Sequence, residues 1–426
     1  MRILSPSMAF RSLYGPWVVL PALTLEGVNL LNRHHPYLGE GAWTVDWLAI
    51  PLWIIGVVAA GVVAIDVARL LRPGSRHLVL TATHRSRLLL WATAWAGGPL
   101  LLVHTLTLIT ALVAGRVNDP SVGWAQMGAA YSVQCLGLLW FVALGGLIGR
   151  FIPPLLAGPV AVGAAFLTVL ALSGASAGTP AFRLLNFGGA TITLIGLRWN
   201  LAYLGVQALL LIGSGLFAVL VIPTVRGARL TLRWPALLTL IVIVAVIASA
   251  TRWAPPGHRT VPAAAAAPTH CLSRAPVICI YYEHRRDAAT IAATLTRLES
   301  AANRAGYSAL VSDRLEESSR TYTPTRAGTR GFPHPSSLED TGTLDPNELA
   351  TSLLTPLTCP QLRDPAKPPP DSYWLNLESV VATWLHLAGL DPASAMAGDP
   401  EHISDKLSAQ KVTSILQGFA QCKLTE

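Results

Sequence analysis

WLAIPLWIIGVVAAGVVAIDVAR, residues 47–69, contains a single acid, Asp66, and no base before Arg69. A helix needs about 20 apolar residues to cross a hydrocarbon layer, and this stretch has the length and the composition. Six more share its character, at 13–31, 88–114, 124–148, 154–173, 200–223 and 235–252. They predict a polytopic α-helical membrane protein of about seven transmembrane helices over residues 1–253. The composition agrees. Of 426 residues, 52% are hydrophobic and only 13% charged, about half the usual charged share of a soluble domain.

Charge is divided unevenly. Residues 1–253 carry sixteen Arg, no Lys and five acids, whereas 254–426 carry fifteen bases and eighteen acids. The net charge of +8 therefore belongs to the apolar half and gives no reason to expect nucleic acid. Arg2, Arg11, Arg69, Arg72, Arg76, Arg85, Arg87, Arg150, Arg226, Arg229 and Arg233 fall on one side of the seven segments. Only Arg33, Arg116, Arg183 and Arg198 fall on the other before the last segment ends at Arg252. The positive-inside rule makes the first group cytoplasmic. The N-terminus is then inside and 254–426 outside, in the cell membrane. Trp17, Trp43, Trp47, Trp124, Trp199, Trp234 and Trp253 lie near the predicted helix ends, where indoles anchor among headgroups. A cleaved signal peptide over 1–25 is the alternative for the first segment. Glu26 and an apolar run that continues to Leu31 argue against it.

The cysteines lead to the same side. Cys135 lies in an apolar stretch and reads as a small buried hydrophobe. Cys271, Cys279, Cys359 and Cys422 lie in the polar half; an even number there predicts two disulfides in an oxidising compartment, with three pairings open. The seven-residue gap between Cys271 and Cys279 is poor zinc spacing, and no metal or other cofactor is expected. Residues 254–270 are a Pro/Ala-rich tether, and 271–426 a small extracytoplasmic α/β domain. Val277–Tyr282 and Tyr307–Val311 read as strands around a helix at Arg286–Ala305. Residues 313–345 read as a long loop, followed by helices near 373–389 and 403–421.

No Gly-Lys pair, H-E-x-x-H, H-x-x-E-H or G-x-S-x-G occurs, so no ATPase, zinc-peptidase or serine-hydrolase motif is present and the chain is not expected to be an enzyme. Glu283-His284 and Glu401-His402 are adjacent pairs that read as surface polarity. Inside the apolar segments Glu26, Asp66 and His104 stand out, because ionisable groups in hydrocarbon face a cavity or a partner. Asp66 has Arg69 three residues on and reads as an interfacial ion pair. Arg69–Arg87, RLLRPGSRHLVLTATHRSR, sets two basic clusters (Arg69, Arg72, Arg76, His77; Arg85, Arg87) around a short apolar centre. It is either a positive-inside loop or a docking element at the membrane surface. Residues 174–199 contain NFGGATITLIGLRWN, apolar but too short to span; they are either a re-entrant segment or a packed outer loop.

Arg69–Arg87 and Phe187–Asn200 match, by order and character, two features of the ABC-2-type permeases of actinobacteria: a coupling helix between the second and third helices, and an outer re-entrant element before the last core helix. The pattern of Cys271, VICIYYEH (277–284) and a following helix resembles the outer domain of a related actinobacterial group. The resemblance implies a permease subunit of an exporter, a homodimer or a heterodimer with a related chain, with a cytoplasmic ATPase docked on Arg69–Arg87. The chain departs from that family in lacking a long amphipathic N-terminal helix and in adding a seventh segment. A non-transporting sensor, immunity or scaffold protein is the alternative.

Overall fold

A computed structural model describes residues 13–31, 37, 39–71, 85–117, 122–173, 184–190, 193–220, 259–263, 267–272, 276–326, 328–356, 359, 362, 369–391 and 406–424. The chain forms two compact units. One comprises 1–32 and 40–261; the other comprises 33–39 and 262–426.

The first unit is helical. A single 3-10 turn, Gly15–Val18, leads into α1 (Val19–Leu31). Then come α2 (Gly41–Trp47), α3 (Leu52–Leu70), α4 (Arg85–Ala114), α5 (Trp124–Ile148), α6 (Pro154–Ser173) and α7 (Leu201–Leu220). Among the described residues, four helices are long and apolar enough to cross a membrane: 41–70, 90–114, 124–148 and 201–219. Gly15–Leu31 and Pro154–Leu170 are apolar but shorter. Helices thus stand at six of the seven expected positions, and four of them have spanning length. The seventh stretch, 235–252, lies outside the described residues, as do Arg72, Arg76 and His77 of the basic loop. Arg85 and Arg87 open α4.

The helices approach closely because small residues face one another. A methyl group placed on Gly145 or Gly149 of α5 would lie 2.2 Å from the Ala60 carbonyl oxygen or 2.4 Å from that of Ala64 on α3. Such small-residue seams let helix backbones meet where no hydrophobic drive separates protein from lipid. Trp43, Trp47 and Trp199 are buried, which corrects their reading as headgroup anchors. The Trp47 indole N–H donates to the Asn29 carbonyl at 3.0 Å, tying α2 to α1. Trp17 and Trp124 are about half exposed; Trp234 and Trp253 lie outside the described residues. Cys135 is a half-buried free thiol.

The second unit is a small α/β domain. Strands β1 (His270–Leu272), β2 (Val277–Ile280), β3 (Arg314–Glu317) and β4 (Thr329–Phe332) form one sheet in that order. β1 is antiparallel to β2, while β2, β3 and β4 are mutually parallel. The crossover from β2 to β3 is α8 (Ala288–Arg304), whose Ile291, Leu295, Leu298 and Ala302 form one buried stripe. Gly306, at φ +79°, stops it, with Tyr307 N–H returning to the Ala302 carbonyl. This is a helix-ending motif for which glycine is suited. Tyr307–Val311 is consequently a 3-10 turn at 308–310 rather than a strand, and the strand follows it. The expected loop 313–345 holds β3, β4 and the short α9 (Ser336–Asp340). Helices α10 (Pro346–Leu354), α11 (Asp371–Leu387) and α12 (Ala409–Ala420) complete the unit.

The disulfides resolve the open pairing as Cys271–Cys279 and Cys359–Cys422. The first joins directly opposed residues of β1 and β2. The second closes a separation of 63 residues, worth about 4 kcal/mol in the chain-entropy account. Trp384 is wholly buried at the centre of the core and donates its indole N–H to the Leu298 carbonyl at 2.9 Å.

Candidate functional site

Among the described residues, buried ionisable groups cluster in both units. In the helical unit Glu26 of α1 and His104 of α4, both chosen from sequence, are brought together: His104 Nδ1 lies 2.8 Å from Glu26 Oε1. Each side chain is almost fully buried. His104 Nε2 lies 3.1 Å from Oε1 of Gln134 on α5. Gln134 donates its amide hydrogens to the carbonyls of Val45 and Phe187, at 2.8 and 3.3 Å, so its oxygen is left to accept from His104. With Nε2 directed at that oxygen, Nδ1 is the ring atom that faces the Glu26 carboxylate. Tyr131 stacks on the imidazole with centroids 5.3 Å apart. Gln134 stands ten residues into α5, about 15 Å along the axis, roughly half the thickness of a hydrocarbon layer.

Asp66 feels the charge of Arg69 and has a further role. Its two oxygens accept the backbone N–H groups of Tyr14 and Gly15, at 2.9 and 2.7 Å. It thereby caps the turn that starts the first helix, where amides otherwise lack partners. Arg69 lies over the Tyr14 ring, 4.7 Å from its centroid.

The described residues of the stretch 184–199, namely 184–190 and 193–199, are irregular in conformation except for a short strand, Leu197–Trp199. Side chains of the surrounding helices satisfy its backbone. Gln207 donates to the carbonyls of Leu184 and Asn186, Trp53 to Leu185, Gln134 to Phe187 and Trp43 to Ala190. Asp46 accepts from Ala190 N–H at 2.7 Å and pairs with Arg259, and Glu40 accepts from Leu194 N–H at 2.6 Å. Gly188 sits at φ +130°, where an added methyl would lie 2.6 Å from Asp46 Oδ1. The Phe187 ring fills the notch above Gly137, thirteen residues and about 20 Å along α5. Irregular backbone is tolerated at such depth only when protein satisfies its polar groups, and these side chains do so for the groups named.

In the α/β unit the carboxyl ends of β2, β3 and β4 lie side by side because the strands are parallel and adjacent. His284 follows β2, Glu317 ends β3, and His334 follows β4. Glu317 Oε2 accepts the Tyr281 N–H at 2.8 Å, which aims Oε1 at His284 Nδ1, 2.5 Å away, and at His334 Nδ1, 3.6 Å away. The imidazole centroids are 3.8 Å apart. His334 Nε2 faces Asp287 Oδ2 at 3.7 Å. The donor atoms of His284, Glu317 and His334 all lie within 4.8 Å of one another. Burial, then the neighbouring His284 and Arg286, hold His334 well below the ordinary histidine range. Burial likewise lifts the Tyr281 hydroxyl to about 12.

Both Glu283 and His284 are buried, which corrects their reading as surface polarity. Glu317 and His334 were missed because they fall in a stretch without periodicity, and Gln134 because an amide carries no charge. Glu401 and His402 lie outside the described residues.

No family model, curated protein or solved structure matches the chain. The class defined by the fold is a helical multi-pass membrane protein with a small disulfide-braced α/β unit.

Proposed function

We propose that the chain is the permease subunit of an ABC-type exporter. Two copies, or one copy and a related chain, pair in the membrane. Separate cytoplasmic ATPases dock on residues 69–87, and the α/β unit lies outside the cell. The supporting observation is the partly buried, irregular segment 184–199, placed immediately before the long apolar helix α7. Its described backbone is held by six side chains, those of Glu40, Trp43, Asp46, Trp53, Gln134 and Gln207. Exchange of a few hydrogen bonds would carry it between discrete arrangements, as an outer gate requires. Through the Phe187 carbonyl and Gln134 it is joined to the buried Glu26–His104 pair.

The test is affinity purification in mild detergent from the native host, with mass spectrometry of the bound chains. Stoichiometric recovery of an ATP-binding chain is expected, and Arg76→Glu with Arg85→Glu should abolish it while the protein still folds. Recovery of the chain without any ATPase would defeat the transport reading. A second reading, a non-transporting sensor or scaffold, is favoured by one observation. Glu26, His104 and Gln134 direct the hydrogen bonds they make to one another and to backbone, as a structural network does.

A further inference from the structure

We infer that His284, Glu317 and His334 form a binding site for a divalent transition metal of the zinc type, independent of whatever the membrane unit transports. Three observations carry it. The first is chemical. Two imidazole nitrogens and one carboxylate oxygen are a donor set that zinc takes in sites with an open fourth position, and one that related first-row ions also accept.

The second is geometric. Ligands held about 2.0–2.1 Å from a tetrahedral ion are roughly 3.4 Å apart. His334 Nδ1 and Glu317 Oε1 already stand at 3.6 Å. His284 Nδ1, at 2.5 Å from the same oxygen, needs to withdraw by only about 1 Å to reach that spacing. The backbone N–H of Tyr281 fixes the carboxylate from behind. The Asp287 carboxylate faces His334 Nε2, the carboxylate–histidine arrangement that orients metal-bound imidazoles.

The third is that His334 is incomplete without a ligand. Its side chain is 2% exposed, yet Nδ1, the atom aimed at Glu317, makes no hydrogen bond. Buried polar nitrogens are rarely left so. The place in the fold agrees, since open α/β sheets bind ligands at the carboxyl ends of their strands.

The experiment uses the full chain, purified in detergent on a histidine-free tag, stripped with a chelator and titrated with Zn²⁺ against a chromophoric competitor. The expected result is one tightly held zinc per chain. His334→Asn and Glu317→Gln should weaken binding by about 100-fold or more, Asp287→Asn by about 10- to 100-fold, and His386→Asn not at all. Intact disulfides on non-reducing gels report folding of each variant. Co²⁺ loaded into the unaltered protein should give the intense visible absorption of a four-coordinate site, a readout that needs no variant. A stripped wild-type chain that takes up neither ion, or zinc binding unchanged by His334→Asn and Glu317→Gln, would overturn the inference.

Discussion

Glu26 and His104 stood out in the sequence as ionisable residues in apolar surroundings, and burial makes each dependent on the other. Removing one partner of a buried pair typically costs about 3–5 kcal/mol, because the other charge is left uncompensated. Glu26→Ala and His104→Ala should each lower the stability of the detergent-purified protein by about that amount. The double variant should cost clearly less than the sum, as a double-mutant cycle of thermal melts would show; additive losses would mean that the pair is not coupled. That the two residues meet was not legible, since 78 positions separate them. A second buried carboxylate, Glu299 on α8, accepts the Ser312 N–H through Oε2 at 2.9 Å. Burial raises its pKa from 4.5 to about 7, against the opposing pull of that hydrogen bond and of Arg330. The folded state therefore holds a proton that the unfolded chain releases between pH 4.5 and 7. Its contribution is fully present below pH 4.5 and is lost as pH rises through 7, by roughly 3 kcal/mol at most. Glu299→Gln keeps an acceptor for Ser312 and removes this dependence. Melting curves at pH 5 and pH 8 should show the variant gaining on wild type only at the higher pH.

At the scale of elements, the apolar runs were legible because hydrocarbon and protein interior select the same residues, and helices occupy every such run that is described. Their contacts were less legible. Gly145 and Gly149 lie four apart on α5, as Ala60 and Ala64 do on α3, but a single sequence does not say which small residues face a neighbour. Gly145→Val should cost about 1–3 kcal/mol by forcing the helices apart, read as a lower melting temperature. Gly163→Val is the control, because an added methyl there meets nothing within 4 Å. In the α/β unit the stripe on α8 was readable from its period, and the strand at 277–280 from its β-branched and aromatic residues. β3, β4 and the carboxyl-end site were not. Their strands are four residues long, too short to show alternation, and prolines and glycines between them read as loop. Tyr307–Val311 misled for the opposite reason: apolar and aromatic residues suited to a strand serve instead to bury the turn after α8.

For the whole molecule, the division of charge and cysteine between the two halves carried most of the information. The arginine-rich, apolar part became the helical unit, and the four paired cysteines all fall in the other. The proposed orientation rests on the arginine distribution, and the seventh expected segment, 235–252, lies outside the described residues. The most direct test is protease treatment of intact cells that express the chain with a different epitope tag at each end. The account predicts that external protease removes the C-terminal tag at once and spares the N-terminal tag until the membrane is permeabilised. Protection of the C-terminal tag in intact cells, or removal of the N-terminal tag, would contradict it.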